Sequence, residues 1–109
     1  MENKINDIVL KLSTEQVDNP NDLSAYLVIL TSNLWKYGKE TLDKEIAYAT
    51  KWQELRASHE TDKATEMAAK ITEEYHDWQM AKVSEKTLLE IIRSLKKRLS
   101  SLSDELKSY

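Results

Sequence analysis

Leu88-Leu-Glu-Ile-Ile-Arg-Ser-Leu-Lys-Lys-Arg-Leu-Ser-Ser-Leu102 places leucine or isoleucine at 88, 92, 95, 99 and 102, in alternating steps of four and three. That spacing holds one apolar stripe on one side of a helix, as the a and d positions of a coiled coil do. Backwards, the stripe takes in Ile71, Tyr75, Trp78, Ala81 and Glu85, and forwards it reaches Leu106. The spacing predicts a single helix over 62–107. At 1.5 Å per residue such a helix is roughly 70 Å long, more than a compact domain of this size needs.

A second stripe lies upstream. Leu23, Leu27, Leu30, Leu34 and Tyr37 follow the same steps, slip phase near Gly38, and give way to Leu42, Ile46, Ala49, Trp52 and Leu55. A slip of this kind rotates the stripe around the helix. Gly38 costs about 1 kcal/mol relative to alanine inside a helix, so it marks either a kink or the close passage of a neighbouring backbone. The start of this helix is sharp. Asn19 is a natural cap, Pro20 fits the first helical position where its missing amide costs nothing, and Asp22 suits the positive end of the dipole. The predicted span is 20–57, followed by a polar turn at 58–61 in which Ser58 or Thr61 can cap the next helix. Upstream, Ile5, Ile8, Val9 and Leu12 mark a short amphipathic helix over 2–12, and 13–19 reads as a linker.

The expected fold is all-α: one domain, with a short N-terminal helix followed by a long antiparallel helical hairpin, since two helices joined by a short turn lie side by side. Tyr26, Val28, Ile29, Trp35, Leu89 and Ile91 widen the apolar stripes beyond what one hairpin covers. The chain is therefore expected to form a homo-oligomer, through Tyr26, Ile29, Trp35, Leu88, Ile92, Leu95, Leu99 and Leu102.

Composition supports the long elements. The 109 residues include one glycine, one proline, no phenylalanine and no cysteine, and 32 % are charged. So few turn-forming residues leave room for few turns. Without cysteine there are neither disulfides nor thiolate metal sites. Met1-Glu-Asn-Lys4 carries no apolar signal core, and no stretch approaches the ~18 apolar residues of a membrane span, so a cytoplasmic location without a membrane is expected.

Catalysis finds little support. The two histidines are His59 and His76, with no glycine-rich phosphate loop beside them. Glu73-Glu-Tyr-His76 has the Glu-x-x-His spacing of di-iron bundles, but such sites need the motif twice, and Arg56 stands three residues before His59. The reading is no enzyme, no metal, no cofactor and no small-molecule substrate.

Charge is partitioned. Residues 39–77 hold six Lys/Arg against ten Asp/Glu, a balance of −4, whereas 82–98 hold six against two, a balance of +4. At about 100° per residue, Lys82, Lys86, Arg93, Lys96 and Lys97 share an arc of roughly a quarter-turn. A row of cations on a rigid helix can track a phosphodiester backbone, and the three Trp and five Tyr can stack on unpaired bases. Both features also have a structural reading. The cations suit the C-terminal half of a helix and can pair with the acidic stretch of the same hairpin or of a neighbouring subunit, while Trp52, Tyr75 and Trp78 occupy stripe positions where core residues belong.

Tyr48-Ala-Thr-Lys-Trp-Gln-Glu-Leu-Arg56, followed by Leu88-Leu-Glu-Ile-Ile-Arg-Ser-Leu-Lys-Lys-Arg-Leu99, resembles small helical proteins of bacteriophage recombination and replication regions. The layout, over about residues 23–106, is similar to that of UvsY-type recombination mediators. The resemblance implies an oligomeric accessory that binds ssDNA and assists a recombinase or displaces a single-strand-binding protein, in the host cytoplasm if phage-encoded. The basic arc would supply the phosphate contacts, although the net charge of −3 departs from that of a strong DNA binder. The other reading is a protein-binding helical module, either a coiled-coil adaptor or a small phage inhibitor of a host nuclease or defence protein, working through Tyr26, Ile29 and Trp35.

Overall fold

The computed structural model describes residues 2–14 and 19–107, with side chains described over 5–12 and 19–104. Among the described residues the chain is all helical, with no strand: α1 (Glu2–Thr14), α2 (Pro20–Arg56), α3 (Asp62–Ala69) and α4 (Glu73–Lys107). α1 runs two residues further than the expected 2–12. Most of the 13–19 linker, residues 15–18, lies outside the described residues.

α2 starts where its cap signals place it. Asn19 Oδ1 accepts the Asn21 amide at 2.9 Å, and the Asn19 carbonyl accepts the Leu23 amide at 3.0 Å, closing the first turn. At the other end several donors gather on one orphan carbonyl. The Ser58 amide and hydroxyl each donate to Leu55 O at 3.1 Å, and His59 Nδ1 lies 2.7 Å from the same oxygen. Arg56 then fastens the turn, its Nη1 on the His59 carbonyl at 2.6 Å and its Nε on Asp62 at 2.7 Å. Thr61 caps α3 by accepting the Ala64 amide at 3.1 Å.

The single helix expected over 62–107 is two. α3 ends at Ala69, and α4 begins at Glu73. The physical reason is Thr72, whose hydroxyl donates to Ala69 O at 2.6 Å and accepts the Tyr75 amide at 3.2 Å. One hydroxyl thereby closes the old helix and opens the new one, with Glu73 and Glu74 in the first turn where the dipole favours acids. Ile71, assigned to the stripe by spacing, is 88 % exposed in the break.

The chain divides into two compact units. Unit 1 takes in α1, α2 as far as Trp35, and α4 from Thr87, whereas unit 2 is Lys36–Lys86. The core of unit 1 is aliphatic: Ile5, Ile8, Leu23, Leu30, Leu88, Ile92 and Leu95 are each no more than 6 % exposed. Asn33 is buried among them. Its Nδ2 donates to Ile29 O at 2.7 Å while its Oδ1 has no hydrogen-bond partner among the described residues.

Unit 2 is built differently. Thr65, Ala69 and Ala81 are buried, and Tyr48, Tyr75 and Trp78 form a ring cluster. Here the expected phase slip does not occur. The half-buried residues of α2 in this unit include Tyr37, Thr41, Lys44, Tyr48, Lys51 and Leu55, which continue the steps of four and three, with Gly38, Trp52 and Arg56 half-buried beside them. Leu42 and Ile46, chosen by hydrophobicity, are 54 % and 56 % exposed. The polar seam is workable because Thr41 shares its hydroxyl between Tyr37 O at 3.0 Å and Ala81 O at 3.2 Å, and because a half-buried lysine can lay its stem on apolar surface with its ammonium group in water.

Gly38 also reads differently. α2 continues through it, and what passes close is a side chain rather than a backbone. A Cβ at Gly38 would lie 2.8 Å from Glu85 Oε2. No described helix is long and apolar enough to cross a membrane.

Candidate functional site

α4 presents all five arc cations to solvent, Lys82 and Lys86 in unit 2 and Arg93, Lys96 and Lys97 in unit 1. Their surroundings differ. Lys82 Nζ sits 4.2 Å from the Trp78 ring centroid, a cation–π contact. Arg93 Nη1 meets Glu90 Oε1 at 3.1 Å, with both side chains well exposed; a pair of that kind on a helix surface contributes at most about 0.5 kcal/mol. Lys86, Lys96 and Lys97 make no ion pair among the described residues, and none joins the arc to an acid of residues 39–77. The intramolecular pairing raised as an alternative for the arc is therefore absent among them.

The aromatic residues separate into two groups. Tyr48 stacks on Trp78 with centroids 5.1 Å apart and planes 20° apart, and it tilts against Tyr75 at 5.3 Å. Tyr75 meets Trp78 edge-on at 6.2 Å. Burial pushes the Tyr48 hydroxyl above its ordinary pKa, with Glu66 and Tyr75 adding and Lys70 opposing. Trp78 Nε1 is buried without a hydrogen-bond partner among the described residues. These rings pack on one another and on Lys82. Trp52 is half-buried. Trp35 is 70 % exposed.

The residues expected at an oligomer interface divide as well. Leu88, Ile92 and Leu95 belong to the core of unit 1 and are satisfied within one chain, which corrects their assignment to a contact between chains. Tyr26, Ile29, Leu99 and Leu102 are half-buried, and Trp35 alone of the set is exposed. Sequence reasoning missed the outward character of Leu42, Ile46, Met80 and Val83, each more than half exposed. A signal existed, since Val28, Trp35 and Leu42 recur every seven residues as a second row beside the first.

His76 is exposed, as is Glu73, and the described residues contain no group of three or more His, Cys, Asp or Glu able to hold a metal ion. His59 closes the end of α2 instead, with its ring on Leu55 O. No protein-family model matches the chain, and no curated protein or solved structure shows a significant match to it.

Proposed function

We propose that this chain acts by binding, as an oligomeric helical accessory that takes single-stranded DNA on the basic side of α4 and serves a recombination or replication machine of phage type. The observation that carries the reading is the solvent exposure of Lys82, Lys86, Arg93, Lys96 and Lys97, four of them without ion pairs among the described residues. Phosphate contacts need charge and reach, and exposed lysine and arginine supply both. An antiparallel course of α2 and α4 is supported by contacts in unit 2. Gly38 lies by Glu85, Thr41 by Ala81 and Tyr48 by Tyr75, so numbers rise on one helix as they fall on the other. Exposed Leu42, Ile46, Met80 and Val83 support self-association, because burying such groups contributes about 25 cal/mol per Å².

The test is fluorescence anisotropy with labelled single-stranded oligonucleotide at low and moderate salt. Binding should weaken steeply with salt, and Arg93→Glu/Lys97→Glu should weaken it further. Absence of binding at low salt, or equal binding by the charge-reversed pair, ends the reading. A second reading, a protein-binding module that serves as an adaptor or inhibits a host nuclease or defence protein, is favoured by the same exposed residues, Leu42 and Ile46 above all. A stoichiometric partner recovered by wild-type chain but lost with Leu42→Lys/Ile46→Lys decides for it.

A further inference from the structure

Beside the seam it packs on α4, α2 carries a second face in unit 2 that combines apolar and acidic groups. Leu42 and Ile46 are 54 % and 56 % exposed and stand one turn apart. Both are turned away from the side that Thr41 and Tyr48 hold against Ala81 and Trp78. Glu45 lies three residues from Leu42, and Asp43 three from Ile46, so helix geometry alone makes the four one surface. Asp43 and Glu45 are exposed and form no ion pair among the described residues. In unit 1, α4 carries the opposite arrangement. Arg93, Lys96 and Lys97 are exposed, and half-buried Leu89 lies one turn before Arg93. Neither face suits a copy of itself, because acids would meet acids on α2 and cations would meet cations on α4. The two faces suit each other. Lysine stems can cover Leu42 and Ile46 while their ammonium groups reach Asp43 and Glu45.

We infer that the Leu42–Ile46 face of α2 docks on the basic arc of α4 in a second copy of this chain. The contact pairs the acidic 39–77 stretch, at −4, with the 82–98 stretch, at +4, between copies rather than within one. An exposed ion pair contributes little by itself, so the covered leucine and isoleucine supply the affinity and the charges select which faces meet. The arc cannot hold phosphates and carboxylates at once. A strand bound there displaces the acidic face, so self-docking acts as a brake on single-strand binding. That competition rests on the function proposed above, whereas the docking itself does not.

The experiment is sedimentation of the full chain at low and moderate salt. Wild-type chain should associate at low salt and come apart as salt rises. Asp43→Lys/Glu45→Lys and Arg93→Glu/Lys96→Glu/Lys97→Glu should each weaken association about tenfold. An equimolar mixture of the two variants should recover most of it, because each reversed face then finds an opposite one. Leu42→Ser/Ile46→Ser should weaken association as well. A saturating short oligothymidylate should lower wild-type association to that of the Asp43→Lys/Glu45→Lys variant. A chain that stays single at low salt, an association that either reversal leaves intact, or a mixture no better than its parts overturns the docking. Association unchanged by the saturating strand refutes the competition alone. Failure of wild-type chain to bind the strand overturns the function proposed above, and the competition with it, and leaves the docking standing on the charge reversals. Circular dichroism confirms that each variant stays helical, as the exposure of every substituted side chain leads one to expect.

Discussion

The two units solve one geometric problem with different chemistry. Both carry the four-and-three repeat on α2, yet unit 1 fills it with Leu23 and Leu30 and unit 2 with Thr41, Lys44, Tyr48 and Lys51. In unit 1 Leu23 and Leu30 disappear from solvent entirely, and Leu27 and Leu34 of the same repeat are half-buried. In unit 2 the covered face is polar and aromatic, while Leu42 and Ile46 remain outside. A helix therefore does not always bury its most apolar side. It buries the side its neighbours can match, and in unit 2 the neighbours are Trp78, Ala81 and Tyr75, which offer rings and a close-approach alanine rather than a leucine row.

The contrast can be broken most forcefully in unit 1. Leu88→Ala leaves a cavity in a fully covered site and should cost about 2–5 kcal/mol in urea unfolding. A loss below about 1 kcal/mol would mean that this seam is not the core of the unit. In unit 2, Trp78→Ala removes the ring that faces Tyr48 and should cost about 2–3 kcal/mol, less than a fully buried tryptophan because Trp78 is half-buried.

The same cluster should respond to alkali. The folded Tyr48 hydroxyl has a raised pKa, so its contribution to stability is complete below the unfolded value near 10 and is lost as pH rises through the folded value. Thermal melts between pH 9 and pH 11 should fall more steeply for wild-type chain than for Tyr48→Phe, which cannot ionise there. Equal slopes would place Tyr48 in water.

Smaller effects sharpen the register. Gly38→Ala restores helix propensity and displaces only the mobile end of Glu85, so stability should rise by about 0.5–1 kcal/mol. A fall instead would show that the Glu85 carboxylate is held in place. In the dissociated chain, Leu42→Lys should change stability by less than about 0.5 kcal/mol, because the side chain is already in water there. A loss of several kcal/mol would return Leu42 to the seam and restore the phase slip expected from hydrophobicity.

Much of the candidate site was legible beforehand. The exposure of Lys82, Lys86, Arg93, Lys96 and Lys97 follows from charge and periodicity, since a cation opposite an apolar stripe has nowhere else to go. The fate of the rings was not legible. Trp52 and Trp78 both take stripe positions in a periodicity count, and the stacking of Trp78 depends on Tyr48, which lies thirty residues away. Thr72 is an intermediate case. Its capping role is local, but the apolar spacing from Ile71 to Tyr75 runs across the break and conceals it.

By itself the amino-acid order determined the all-helical class, the Asn19–Pro20 start, the choice of Ser58 or Thr61 as the next cap, and the leucine row that closes unit 1. Each of these rests on backbone propensity, on a side chain bonded to its own neighbourhood, or on an apolar period strong enough to leave one choice of face. Tertiary packing alone decided which side unit 2 buries, why Gly38 sits opposite Glu85, and which ring Trp78 stacks on. Along α2 from Lys36 onward, two faces bring comparable apolar surface, so the shape of the opposing helix selects between them.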